Sequence, residues 1–381
     1  METAFDISTS TIVEHFGTLE DPRIERTKLH TLLDIVTITI CAVICGADGP
    51  VDIEQYGKEK YDWLKTFLAL PNGIPSHDTI GRVIARLDPN QFQTCFLRWM
   101  QTLCHLTRGE VVPIDGKTLR HSYDTALDQS AIHMVSAWAA TNRLVLGQLK
   151  VAEKSNEITA IPELIEALDI ADCIVTIDAL GCQKEIVARI VEKEADYVIA
   201  LKGNQEHLYD DVRRVFDDLL RHDMTSAPLD YYETSDNRHG RVELRRYWTT
   251  SICDTVRTRD QWRGLQTIGM VESERTDTHE TTIERRYYIL SLPNNACMFG
   301  NAVRAHWGIE NAVHWVLDVA FREDMSRIRV EHGPENFALI RHLALNLLRQ
   351  ETSFTGSIKT KRLKAGWNNS YLAKILCGGV R

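Results

Sequence analysis

Apolar positions recur every three or four residues through roughly the first hundred positions of the chain, the spacing of helices with one buried stripe. TIVEHFGTL, DIEQYGKEKYDWLKTFL, SHDTIGRVIARL and NQFQTCFLRWMQTLC each show it, and PNGIP and DP separate them. LLDIVTITICAVICGA, residues 32–47, is apolar on every side. At 16 residues with Asp34 inside, it falls short of the roughly 20 needed to cross a bilayer and is predicted to be a buried helix. Residues 1–105 therefore read as an all-α N-terminal domain. Its segment PSHDTIGRVIARL opens on a Ser or Asp cap and puts Thr79, Arg82 and Arg86 on a short helix, a pattern that fits a DNA-recognition helix.

From about residue 111 the period shortens to two. VVPID, AIHMVSAWAA and RLVLGQLKVA read as three strands, followed by helix EITAIPELIEAL, strand CIVTIDAL, helix QKEIVARIVEKEA and strand DYVIALKG. The order is β-β-β-α-β-α-β, with Asp115 and Asp178 at the ends of the first and fourth strands. That is the layout of a ribonuclease-H-like core, a mixed sheet flanked by helices in which those two strands are neighbours. The fold class is thus α/β, with a catalytic core beginning in residues 106–228. A β-rich insertion covers 229–292, the final core helices 293–345, and a basic segment 346–381. NAVRAHWGIENAVHWVLDVAFRED reads as one long helix on which Trp307, Glu310, Asn311 and His314 share a face.

Composition narrows the class. With 44% hydrophobic and 25% charged residues among 381, the chain is an ordinary globular protein of two or three units. METAFDISTS carries no secretory pattern, and nine cysteines without a CxxC fit reduced thiols and no structural zinc, so a bacterial cytoplasmic, nucleoid-associated location is expected. The net charge of −9 argues against a nucleic-acid binder only while it is taken as a total. From Arg341 onward eight basic residues face one acid, a net +7 that leaves −16 for the rest, so acids and bases are segregated.

Asp115, in PIDGKTLR, sits before an Asp-Gly turn signal and beside Lys117 and Arg120, which suit phosphate. Asp178, in TIDALG, closes a second apolar strand 63 residues later. Two carboxylates at neighbouring strand ends repel unless a cation lies between them, and hard divalent ions such as Mg²⁺ or Mn²⁺ take these oxygens. Glu310 is placed to supply a third carboxylate, enough for two ions and in-line displacement at phosphorus. Asp318, Glu323 and Asp324 are its rivals further along the same helical stretch, and Glu157, which also follows a strand, is a fourth. Lys202 is a further phosphate candidate, and RHGRVELRRYW offers Arg238, Arg241, Arg245 and Arg246 with Trp248, a basic and aromatic mixture suited to gripping DNA. Asn156 and Glu157 read as capping residues of the helix that follows them.

IDGKTLR, AIHMVSAWA, EKSNEITAIPEL, TIDALGCQ, ALKGNQ and HWGIENAVHWVLDVAFRED resemble the motifs of the H-repeat-associated (H-rpt, Rhs-linked) DDE transposases of bacterial insertion sequences, and CAVICGADG, DIEQYGKEK and LPNGIPSHDT extend the likeness across the chain. The resemblance implies a DNA transposase acting on double-stranded DNA, at element terminal inverted repeats and at target DNA. It implies Asp115, Asp178 and Glu310 as catalytic metal-binding acids with two ions per site, and a homodimer on DNA. The wider superfamily carries a tyrosine, an arginine and a lysine around the glutamate. Val303, His306 and Leu317 stand there in this chain, leaving Arg304 and His314 to meet DNA. A transposase-derived DNA-binding protein without catalysis and a metal-dependent nuclease are the competing functions; no membrane partner is expected.

Overall fold

A computed structural model describes residues 9–25, 28–123, 131–151, 157–221, 228–238, 241–276 and 281–377. The described residues begin with six helices: α1 (Thr9–Phe16), α2 (Leu32–Ile44), α3 (Pro50–Glu59), α4 (Tyr61–Leu64), α5 (His77–Arg86) and α6 (Pro89–Leu103). Their starts follow the sequence. The hydroxyls of Thr31 and Ser76 accept from Asp34 N–H and Thr79 N–H, and Asp88 caps α6 before Pro89. The apolar run forms α2, buried along nearly its whole length.

The middle of the chain supplies β1 (Val111–Thr118), β2 (His133–Ala139), β3 (Leu144–Lys150), α7 (Glu157–Ala167), β4 (Ile174–Ile177), α8 (Lys184–Glu192), β5 (Asp196–Leu201) and α9 (Glu206–Arg221). Four ten-residue strands follow, β6 (Leu229–Arg238), β7 (Arg241–Thr250), β8 (Thr267–Thr276) and β9 (Thr281–Leu290). The chain ends in α10 (Ala296–Ile309), a π-helical turn (Glu310–His314), α11 (Trp315–Phe321), α12 (Gly333–Gln350), α13 (Ile358–Trp367) and α14 (Asn369–Leu376).

The nine strands of the described residues join one sheet in the order β3-β2-β1-β4-β5-β9-β8-β7-β6. β1, β4 and β5 run parallel, and the other pairs are antiparallel. The segment read as an insertion therefore continues the core sheet through the β5–β9 pair. Alternation along the strands divides the apolar residues between two faces. Val175, Ile177, Tyr197 and Ile199 pack with α7, α8 and α9, while Ile174, Val198, Tyr247 and Tyr288 pack with Phe299, Ala302 and Val303 of α10.

The described residues up to 105 do not close a core by themselves. Their helices share one apolar cluster with residues 309–376, around α12, which is buried from Gly333 to Leu348 except at Glu335. Among the described residues no helix is long and apolar enough to cross a membrane. Among the described residues the cysteines form no disulfide.

Candidate active site

Parallel pairing of β1 with β4 puts Ile114 opposite Ile177, so Asp115 and Asp178 are the next residues on adjacent strands. The Asp-Gly pair is not a turn. β1 runs on through Gly116 to Thr118, because β2 keeps pairing as far as Thr118↔His133 after β4 has ended. Asp178 ends its strand and caps a short 3₁₀ turn, accepting from Leu180 N–H at 3.0 Å and Gly181 N–H at 3.4 Å.

The third acid comes from the other end of the fold. α10 does not continue evenly into α11: the π turn adds a residue at 310–314, leaving Glu310 exposed and turning His314, four residues on, inward. Asp115, Asp178 and Glu310 line one cleft of about 380 Å³, together with Lys202, Arg286 and His306.

Like charges crowd this cleft. Burial raises the Asp115 carboxyl, and the charges of Asp178, Glu157 and Glu310 raise it further; the Gly116 N–H opposes them, and the group is pushed up to about 7. Burial also raises Asp178, with Glu157 adding to it and Gly181 N–H, Leu180 N–H and Lys202 working against it. Burial holds both nearby histidines near 4 and therefore neutral: His306, which bonds Thr176 Oγ1 at 3.0 Å, and His314, where Lys117 and His342 add to the effect.

The donor set, oxygen ligands held at unfavourable negative charge, fits a hard divalent cation. Among the described residues no three His, Cys, Asp or Glu side chains converge on a single point.

Several expected phosphate contacts are engaged elsewhere. Lys117, only 12% exposed, donates to Asp318 at 2.5 Å and Glu323 at 3.0 Å, where both acids outweigh burial and raise its affinity for the proton. His314 is buried against Asp115, with Nδ1 at 3.5 Å, and is not a surface contact. Arg245 pairs with Asp236 at 3.0 Å and with Glu243, and Arg304 with the same Asp236 at 2.9 Å. Arg246 meets Glu272 at 2.9 Å, Glu274 at 3.0 Å and Glu233 at 3.5 Å. Arg238 and Arg241 close the β6–β7 hairpin, and their side chains, like the whole of Asn156 and Arg381, lie outside the described residues. Arg120 stays exposed, leaning on Asp324 at 3.4 Å, and Lys202 stands exposed at the cleft.

The rivals of Glu310 are also placed. Arg322, in the left-handed region at φ 51°, ends α11, so Glu323 and Asp324 fold back toward β1 instead of extending the helix.

Of three further residues around the cleft, His133 and Arg286 carry no functional reading in the sequence, and Glu157 enters it as a rival third acid and as a cap. Glu157, read as a cap, bonds His133 Nε2 at 2.6 Å beside Asp115, and His133 in turn bonds Thr118 Oγ1 at 2.8 Å. A Cβ at Gly116 would meet Glu157 Oε1 at 2.3 Å and His133 Nε2 at 2.5 Å, so the missing side chain is what allows this close approach. Arg286 of β9 lies over the Trp307 ring at 4.7 Å while bonding Glu284 at 2.8 and 3.0 Å.

Residues 107–347 match the family model described as Transposase DDE domain, and residues 13–100 match that described as DDE_Tnp_1-associated. "Putative transposase YncI" of Escherichia coli O157:H7 is 40% identical over 377 residues, covering 97% of this chain and 95% of that protein. "H repeat-associated putative transposase YhhI" of Escherichia coli K12 is 40% identical over 374 residues, covering 96% and 98%. A solved piggyBac transposase synaptic complex with hairpin DNA aligns over 97% of this chain and 80% of its own at 10% identity, with a TM-score of 0.43.

Proposed function

Because the chain belongs to the H-repeat-associated family of DDE transposases, we propose that it binds the ends of its insertion sequence and catalyses metal-dependent DNA strand cleavage and strand transfer. The observation that carries this reading is the meeting of three carboxylates from distant parts of the chain, Asp115, Asp178 and Glu310, on one cleft. The sheet order around β1 and β4 supports taking the core as ribonuclease-H-like.

Asp115, Asp178 and Glu310 would hold divalent ions, Mg²⁺ or Mn²⁺, two per site. When bound, such ions activate the attacking water or DNA 3′-hydroxyl and stabilise the leaving oxygen. The protein's own part is positional and electrostatic. Asp178 keeps one oxygen tied to two backbone N–H groups, which fixes the direction of the other. Lys202 faces the cleft as a partner for phosphate, and neutral His306 lines it without adding charge. Double-stranded DNA is the substrate, as element ends and as target. Two copies would process two ends together, in the bacterial cytoplasm at the nucleoid.

The test uses purified full-length protein, Mg²⁺ and a duplex carrying the terminal inverted repeats that flank its gene. Nicking and joining of those ends is expected, with loss of both in Asp178→Asn. DNA binding without cleavage by the wild type under Mg²⁺ or Mn²⁺ would leave only the non-catalytic reading.

A further inference from the structure

Lys117 points to a role that neither DNA contact nor metal binding supplies. β1 alternates, so Asp115 and Lys117 share the face turned toward the last helices, while Ile114 faces the opposite core. On the helix side, His314 meets Asp115 at 3.5 Å and Asp318 meets Lys117 at 2.5 Å. Two residues of strand advance about 6.6 Å and four residues of helix about 6 Å, so the two contacts form successive rungs between elements lying in step. Glu310 stands one further turn back on the same helical run.

A second tie secures the same ammonium. After the left-handed reversal at Arg322, Glu323 returns to Lys117 at 3.0 Å, itself 2% exposed and 3.9 Å from Arg341 of α12. We infer that Lys117 is a positioning residue for strand cleavage: through Asp318 and Glu323 it holds the helix bearing Glu310 in register with the strand bearing Asp115. A slip of one helical turn would carry Glu310 about 5.4 Å from its place. The inference rests on the cleavage reading above.

Full-length Lys117→Met, Lys117→Arg and Asp318→Asn are compared with wild type in end cleavage, DNA affinity and the rise in thermal midpoint on adding Mn²⁺. Lys117→Met is expected to lower kcat about 30-fold or more, since a misplacement near 1 Å can cost about a hundredfold. Its DNA Kd should stay within about twofold, because Lys117 makes no contact at the surface. Its Mn²⁺-induced stabilisation should fall below about half that of wild type, as expected when a site binds more weakly. Lys117→Arg should recover most of both, and Asp318→Asn should fall between.

A weaker DNA Kd with unchanged kcat would make Lys117 a phosphate contact and overturn the inference. A lower melting point with wild-type kcat would make it merely structural and do the same. If Lys117→Met fails to fold, Asp318→Asn decides on the same measurements. If the wild type cuts no element end, the cleavage reading fails by itself. The Mn²⁺ response of Lys117→Met then decides the register: a smaller shift supports it, an equal shift overturns it.

Discussion

The two halves of the single sheet treat charge in opposite ways. Across β6 to β9 one row reads Glu233, Arg246, Glu272, Arg285, each opposite the next in register, with alternating sign. Three positions along, Arg275 answers Glu243. Such cross-strand pairs contribute roughly 0.2–1 kcal/mol each. At β1 and β4 the adjacent positions are both aspartates, with Glu157 and Glu310 adding charge of the same sign. Charges that are paired hold the wing together, whereas charges left unpaired weaken the cleft until something cationic enters it. A strongly perturbed carboxyl in a cleft marks function better than a count of arginines does.

The largest effect should come from removing an unpaired charge. Asp178→Asn and Glu310→Gln are each expected to cut Mg²⁺-dependent end cleavage by about a thousandfold or more, since they remove oxygen ligands of the proposed ions. Their melting points without metal should not fall. Cleavage at the wild-type rate in either variant would remove that residue from the site.

Asp115 sharpens the comparison through pH. Its carboxyl goes from an ordinary 3.8 to about 7 in the folded chain, so between those values the native state holds more proton than the unfolded one. Stability therefore falls as pH rises from about 4 to about 7 and does not return above that. Asp115→Asn escapes this loss. In chelator it should be more stable than wild type by about 2–4 kcal/mol at pH 8 and nearly equal at pH 4, since each tenfold change in proton affinity is worth about 1.36 kcal/mol. Urea unfolding at the two pH values measures it. A less stable variant at pH 8 would show that Asp115 is a structural, satisfied acid.

Arg246 tests the other half. Cutting it to alanine takes from Glu274 and Glu233 the guanidinium they face, while Glu272 keeps Arg285 at 2.7 Å. A loss of about 1–2 kcal/mol in unfolding free energy is expected for this partly buried network, with DNA affinity changed less than about twofold. A tenfold weaker DNA complex with unchanged stability would return Arg246 to the DNA surface where the sequence put it.

These contrasts mark what sequence could and could not carry. The helices and strands from residue 111 to 203 follow local period, so their order and the adjacency of Asp115 and Asp178 were legible. The continuation of β1 past Asp115 was not, because it depends on β2 pairing with Gly116 to Thr118. Nor was the break at 310–314, which has no proline and no glycine inside it, or the reversal at Arg322, a non-glycine residue with positive φ. Arg245 and Arg246 look like DNA ligands until the register of β6, β7 and β8 shows which acids face them.

The basic C-terminal run extends the comparison and gives the smallest expected effect. Three of its eight cations, Arg349, Lys361 and Arg362, are spent on backbone carbonyls. Arg362 donates to Val43 O at 2.8 Å and to Ala320 O, with its guanidinium 4.1 Å from the Phe321 ring centre. Lys361 donates to Leu348 O at 2.8 Å and to Glu351 O, and Arg349 to Arg143 O at 2.9 Å and to Ala312 O. Burial pulls Arg349 and Arg362 down to about 10, the mark of cations placed for packing rather than for solvent. Arg341 bonds Ser326 Oγ at 2.9 Å, and Lys364 sits over the Phe354 and Tyr371 rings at 3.9 and 4.5 Å. Lys359 and Lys374 are exposed. Deleting the segment would open the shared helical core, so Lys359→Gln/Lys374→Gln is the cleaner variant. Each phosphate neutralised contributes about 0.9 to the slope of log affinity against log salt, so two full contacts would account for about 1.8. A change below about 0.5 is expected, because neither lysine lies on the cleft with the acids. A change near 1.8 would mean that DNA runs across α13 and α14 as well, and that the net +7 read from the sequence had identified a binding face after all.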